Sequence, residues 1–282
     1  MLTTVKAGPY TIRGVSVGGV YTSLHVPELD CLFDAGIVAR SLVGASNLLV
    51  SHGHSDHIGA LPAIFGVRGL LGQPKPRLFL PEQIRDAVQT TFEQLSHIQR
   101  YPLEAEWVGV KPGDEHQLRR DLSLRVFRTH HTVPSVGYQL FRRVQKLRAQ
   151  YVGLPGKEIA ERRAAGQELF QTVEHLELAY ATDTLIRVLD TYPSLLATRV
   201  LILECSFIDE RKSLADSRAG CHVHLDEILE RASDFQNEHV VLMHFSQIAS
   251  PEEVHRTLAR RCPKSLWDRL ILFAPTAGQW PG

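Results

Sequence analysis

The chain has 282 residues, 44% of them apolar, and its 31 lysines and arginines are balanced by 31 aspartates and glutamates. That length suits one large or two small globular domains, and no run approaches the roughly 20 apolar residues that span a bilayer. A formal charge of zero excludes a generally basic nucleic-acid coat, so any such contact has to come from a local patch.

At the start, residues 1–6 lack the charged-then-apolar pattern of a signal peptide. Cys31, Cys205, Cys221 and Cys262 are far apart and form no C-x-x-C pair. Free thiols in a reducing cytoplasm are the expectation. Strands are predicted at 11–17, 21–26 and 31–33, parted by Gly18-Gly19 and by Pro27-Glu28-Leu29-Asp30. The third ends on Asp34, a position that suits either a structural loop carboxylate or one that supports a neighbouring ligand loop. The apolar run Asn47-Leu48-Leu49-Val50 then meets Ser51-His52-Gly53-His54-Ser55-Asp56-His57, followed by Ile58-Gly59-Ala60-Leu61. This reads as a buried strand, a tight turn and a helix that ends near Gly72 and Pro74.

A short strand at 77–80 leads into a helix at 82–97, with Ile84, Val88, Phe92 and Leu95 at helical spacing and Pro81 at its start. Strands at 107–110, 115–118 and 122–127 follow, and the last delivers Thr129-His130-His131. Between 142 and 177, Arg142, Arg143, Lys146, Arg148, Lys157, Arg162 and Arg163 outnumber the acids. Two readings stand, a solvated helical excursion or a basic arm for phosphates. Beyond it, a strand at 178–181 runs into Thr182-Asp183-Thr184, and one at 200–205 into Ser206-Phe207. A helix at 225–233, a strand at 239–243, a helix after Pro251 and a strand at 270–273 complete the chain. Two β-rich halves, each with helices, predict two sheets packed face to face with helices outside.

Polar residues stand directly after several of these strands. His52, His54, Asp56 and His57 crowd one turn, and neutral imidazole with carboxylate is the donor set of zinc and its neighbours. His131, Asp183, Glu204 and His244 follow other strands. Each alone would more often be a cap, a turn or a buried structural group. Together they can share a cleft at one edge of the sandwich.

The H-x-H-x-D-H run, the later His131, the Asp183 turn and His244 resemble the metallo-β-lactamase superfamily. The chain is more narrowly similar to the tRNase Z family, especially its short plant form. The similar segments include Val15-Ser16-Val17-Gly18-Gly19, Leu203-Glu204-Cys205-Ser206-Phe207, Gly220-Cys221-His222-Val223-His224 and His244-Phe245-Ser246-Gln247. The resemblance implies an α/β fold, an αββα sandwich of two mixed β-sheets flanked by helices, formed by residues 1–282 as one domain. Residues 142–177 would be an inserted basic arm that grips tRNA. It implies two Zn2+ per subunit, with Mn2+ or Fe2+ as alternatives: His52, His54 and His131 for one, Asp56, His57 and His244 for the other, Asp183 between them. Asp56, His222 and Glu204 would be catalytic, Glu204 orienting His222 as the proton donor in preference to His224. His224, Ser246 and the seven basic arm residues would touch substrate, and Cys221 would stand by.

Precursor tRNA is the implied substrate, cut to leave a 3′-hydroxyl on the tRNA, and the implied assembly is a cytoplasmic homodimer with no membrane contact. Two features depart from the family pattern. The stretch 14–23 has no Lys, Arg or Asn, where many bacterial members carry a basic loop that senses the residues after the discriminator. Thr182 stands where a glycine usually precedes the bridging aspartate. The competing readings are a dinuclear phosphodiesterase for small diesters or cyclic nucleotides, a lactonase or thioesterase, and a non-catalytic binder.

Overall fold

The computed structural model describes residues 2–281; Met1 and Gly282, the ends of the expected domain, lie outside them. The apolar alternation of the first half builds one seven-stranded sheet in sequence order. Its strands are β1 (Thr3–Ala7), β2 (Tyr10–Val17), β3 (Tyr21–Val26), β4 (Cys31–Phe33), β5 (Asn47–Leu49), β6 (Arg77–Pro81) and β7 (Glu106–Val110). The second half repeats the scheme with β8 (Glu115–Arg119), β9 (Leu122–Arg128), β10 (Val136–Leu147), β11 (Phe170–Ala181), β12 (Val200–Glu204), β13 (His239–Met243) and β14 (Leu270–Leu272). In each sheet the first four strands pair antiparallel and the last four pair parallel.

The sheets share one apolar core that includes Ile12, Leu24, Phe33, Leu49, Tyr138, Leu178, Ile202 and Val241. Outside the first sheet lie α1 (Ser55–Ile58), α2 (Leu61–Leu70) and α3 (Glu82–Gln99), sealed by Leu61, Ile64, Phe65 and Phe92. The second sheet's outer face is covered by helices that follow its parallel strands, with Val188, Leu225, Ile228, Val254 and Leu258 buried beneath. The result is the expected αββα sandwich. Parallel strands need crossovers, and those crossovers are the helices. Ligand-bearing turns therefore collect at the carboxyl ends of the parallel strands, the usual place for a site in such sheets.

Two differences from the sequence reading have physical causes. The edge strand β1 is short and polar on alternate positions, and pairing with β2 rather than an apolar signal makes it a strand. Segment 142–177 is mostly the outer half of a long hairpin, with β10 and β11 paired from Tyr138↔Tyr180 to Leu147↔Phe170 across a bulge between Leu140 and Phe141. At its tip a 3-10 turn at Ala149–Tyr151 and α4 (Gly156–Ala164) are helical. Arg143 faces Glu174 across the strands at 3.0 Å, so opposite charges that looked like a solvated face are a cross-strand ladder.

One glycine contact controls how the first sheet meets its ligand turn. A Cβ on Gly36 would fall 2.0 Å from the Asp56 carbonyl oxygen and 2.6 Å from the Thr22 nitrogen. The same turn accepts and donates through Ala35 N to His57 O (2.6 Å) and Ala60 N to Ala35 O (2.8 Å). Gly36→Ala should cost about 1–3 kcal/mol by overpacking and lower the melting temperature. Gly44→Ala, where nothing lies within 4 Å, is the control and should leave it unchanged.

Candidate metal centre

Five strand ends build the centre. β4 ends at Asp34, β5 at the 51–57 turn, β9 leads to His131, β11 to Asp183 and β13 to His244. His52 Nε2 lies 3.1 Å from His54 Nδ1, and His131 Nε2 lies 3.2 Å from the same atom. Asp183 Oδ2 stands 3.7 Å from His52 Nε2 and 3.8 Å from His131 Nε2. Its other oxygen, Oδ1, stands 3.4 Å from His57 Nε2 and 3.3 Å from His244 Nε2, while Asp56 Oδ2 is 3.4 Å from His57 Nε2. One carboxylate thus faces two donor groups, His52, His54 and His131 on one side, Asp56, His57 and His244 on the other.

These residues fit divalent cations. A tetrahedral ion with Zn–N bonds of about 2.0–2.1 Å holds its nitrogens roughly 3.3–3.4 Å apart, close to the spacing within the first group. Three imidazole nitrogens converging on one point cannot all be satisfied as hydrogen-bond pairs, because a neutral ring carries only one N–H. In the second group His57 Nε2 and His244 Nε2 are buried with no hydrogen-bond partner. Buried unpaired donors or acceptors are costly, and a cation between them removes the cost.

The opposite ring atoms are tied down. His57 Nδ1 lies 2.7 Å from Asp34 Oδ2, His52 Nδ1 3.0 Å from Ser51 Oγ, and His244 Nδ1 3.1 Å from Ser206 Oγ. Such partners select the tautomer and aim Nε2 inward. Asp34 also accepts from Ser51 N (2.7 Å), Ser51 Oγ (2.9 Å) and Tyr180 Oη (2.6 Å). Thr182, in the place of the family glycine, donates its hydroxyl to Asp183 Oδ1 at 2.8 Å and so steadies the carboxylate.

Electrostatics agree with ligation. Burial, with the neighbouring His57, pushes His52 down to about 2 and keeps its ring neutral. Burial also lowers His131. For Asp56, burial would raise the carboxyl, but the His57 hydrogen bond and charge hold it at about 2. Desolvation likewise opposes ionised Asp183, and His244 and His57 overcome it to keep its pKa well below the usual range. Burial would lower His57, yet Asp183 and Asp34 raise it well above an ordinary histidine. That is the negative potential a cation would neutralise.

Beside this centre Glu204, fully buried at the end of β12, lies 3.1 Å from His222 Nδ1 through Oε2. Its Oε1 accepts from Thr184 N at 2.6 Å, and Ser206 Oγ donates to Oε2 at 2.6 Å. Burial opposes charging of His222, but the Glu204 charge and hydrogen bond raise it to about 9. His222 stacks on His244 with ring centroids 5.7 Å apart. His224 is held by other contacts. It is buried, caps the helix Leu225–Glu230 by accepting from Asp226 N at 3.2 Å, and sets Nε2 3.1 Å from Asp209 O. This corrects the expectation that its ring faces phosphate or solvent, because both nitrogens are occupied.

Ser246 sits on the loop after β13, its nitrogen donating to Ser206 O at 2.9 Å. The arm residues are far from uniform. Arg142 pairs with Asp121, Arg143 with Glu115 and Glu174, Arg148 with Glu168 and Arg162 with Glu158. Lys157 stands 4.0 Å from Glu161, and Lys146 and Arg163 have no ion pair among the described residues. Cys221 is half-buried and in none of the donor groups. Sequence reasoning assigned no role to Ser51, Tyr180 or Ser206; their only signal was position directly after, or at the end of, a strand carrying a ligand.

Residues 29–245 match the family model described as a beta-lactamase superfamily domain. The tRNase Z TRZ1 of Arabidopsis thaliana is 32% identical over 271 residues, covering 95% of this chain and 96% of that one. The chloroplastic tRNase Z TRZ2 of the same plant is 34% identical over 258 residues, covering 91% and 73%. Among solved structures, the metallo-beta-lactamase fold protein YhfI from Bacillus subtilis superposes with a TM-score of 0.60 at 14% identity, covering 99% of this chain and 98% of that one. That likeness is one of fold.

Asp34 gives the sharpest test of this geometry. Asp34→Asn keeps the shape and removes the charge from His57, and competition with a chelator should show metal affinity weakened about 10–100-fold. Unaltered affinity with a lowered melting temperature would mean that Asp34 serves the fold alone.

Proposed function

The chain belongs to the tRNase Z family of the beta-lactamase superfamily, and from that premise we propose that it is a metal-dependent endoribonuclease that cuts the 3′ trailer from precursor tRNA. The observation that carries the reading is the Glu204–His222 pair, placed against a centre with room for two cations. We assign His52, His54 and His131 to one zinc, Asp56, His57 and His244 to the other, and Asp183 to both, with Mn2+ or Fe2+ as the alternatives. When bound there, two such cations would supply activation of water and charge neutralisation at the phosphoryl oxygens.

The protein's own part is to hold protons and substrate. Glu204 accepts from His222 Nδ1, which leaves the His222 Nε2 proton to be given to the departing 3′-oxygen of the tRNA. The P–O3′ bond breaks, and the trailer keeps the phosphate. With a pKa near 9, His222 is in its donor form at neutrality, and neighbouring cations would draw that value downward. Asp56, the most accessible carboxylate of the centre, orients the second donor group through His57.

For RNA contact we assign the hairpin arm at 142–177. Its ion-paired arginines stiffen it, Lys146 and Arg163 offer free charge to phosphate, and Lys157 is held only by an exposed 4.0 Å pair with Glu161. Ser246 is the proposed contact nearer the centre. Two copies associating as a homodimer is supported by exposed apolar side chains at the ends of α2 and α3, namely Leu70, Leu71, Ile98 and Tyr101. No described helix is long and apolar enough to cross a membrane, and the unpaired thiols suit a reducing compartment such as the cytoplasm.

Purified protein loaded with zinc should cut a precursor transcript at one position; random cleavage, or none, would remove the tRNA assignment. His222→Ala should lower kcat by roughly 10²–10⁴-fold with metal content unchanged. In the wild type, kcat falls as pH rises through the His222 pKa, because the protonated ring is the donor; in His222→Ala that alkaline limb disappears. Replacing residues 146–171 by a tight turn, which spares the Arg143–Glu174 pair, should abolish precursor cleavage. Hydrolysis of bis-(p-nitrophenyl) phosphate should persist, whereas equal loss of both would place the arm in the fold rather than in recognition.

A further inference from the structure

A cavity of about 550 Å³ opens beside the centre, with His131 in its lining. Two arginines line it, Arg128 and Arg187, and the strand ends that deliver the ligands also place them. Arg128 closes β9 three residues before His131, and Arg187 follows Asp183 by four. The two loops are locked together, since His130 N donates to Thr184 Oγ1 at 2.9 Å and Arg128 N to Tyr192 Oη at 3.1 Å. Unlike Arg142, Arg143 and Arg148, neither guanidinium has a carboxylate within ion-pair distance among the described residues. Two unneutralised like charges on one concave surface repel each other, and an anion between them relieves the repulsion. Pro112, Val133 and Pro134 add apolar surface, and Gln83 adds an amide. The volume lies within the roughly 300–1,000 Å³ of small-ligand sites.

We propose that this cavity is a nucleotide subsite in which Arg128 and Arg187 bind the phosphate neighbouring the scissile linkage, while the apolar wall and Gln83 receive its base. The polymer rests on the endoribonuclease reading above; the nucleotide chemistry of the cavity does not. Phosphate contacts set register and leave sequence to the base edge, so the subsite positions the strand beside the centre, where Cys221, the neighbour of His222 in sequence, also lines the cavity.

Arg128→Ala, Arg187→Ala, the double variant and the two Lys replacements test it. On a precursor transcript each Ala change should raise KM about tenfold with kcat altered less than twofold, and Lys should recover part of the loss. Calorimetric titration of the zinc-loaded protein with adenosine 5′-monophosphate should show affinity falling about tenfold or more in the double variant. Unchanged KM and unchanged mononucleotide affinity would overturn the subsite, as would a fall in kcat that tracks a lowered melting temperature. Wild-type protein that binds the mononucleotide through both arginines yet cuts no precursor would keep the subsite and overturn the tRNA reading.

Discussion

The architecture depends on one buried carboxylate. Asp34, at the end of β4 with φ of 54°, accepts hydrogen bonds from the Ser51 nitrogen and hydroxyl, from His57 and from Tyr180. Ser51 and His57 belong to the first sheet's ligand turn, and Tyr180 to β11 of the second sheet. An ionised group in so dry a place is tolerable only when its lone pairs are matched this fully. The match to Tyr180 ties one sheet to the other, and the remaining three hold the ligand turn to the end of β4. Alignment of His52 and His57 toward Asp183 is a by-product of keeping Asp34 satisfied.

The two-sheet repetition explains why the centre can be composite. Both sheets change from antiparallel to parallel pairing at the fourth strand, and both parallel portions point their carboxyl ends the same way. Asp34 and the histidine turn come from one sheet, Asp183, Glu204, Ser206 and His244 from the other. Asp183, with φ of 44°, and His244, with φ of 61°, occupy backbone conformations uncommon for non-glycine residues. Strain of this kind persists where surrounding contacts over-determine it, here the hydrogen bonds of Thr182 and Ser206.

Charge is partitioned by the same scaffold. A neutral total conceals arginines used in two ways. Arg142, Arg143, Arg148 and Arg162 of the hairpin arm are matched with Glu115, Asp121, Glu158, Glu168 and Glu174, which gives a protruding strand pair rigidity at little cost in net charge. Arg128 and Arg187, beside the centre, carry no such match. An anionic polymer would therefore meet free positive charge where the chemistry occurs and at a few points of the arm, rather than across the whole surface.

Much was legible in the residues alone. The apolar runs before Ser51, Asp183, Glu204 and His244 identified strands, and donor-rich turns at their ends identified a metal site, because side-chain chemistry and strand periodicity are local properties. The arm and His224 were not legible in the same way. Basic charge at 142–147 and acidic charge at 170–177 have meaning only once β10 and β11 are paired, and a histidine before an apolar helix can cap, bind or face water until its neighbours are known. The sequence by itself determined which groups could ligate, donate protons or carry charge. The tertiary structure alone decided which of them meet, since the distances that matter join residues separated by 77 positions, as for His54 and His131, and such closures are set by the packing of two sheets and by no local preference.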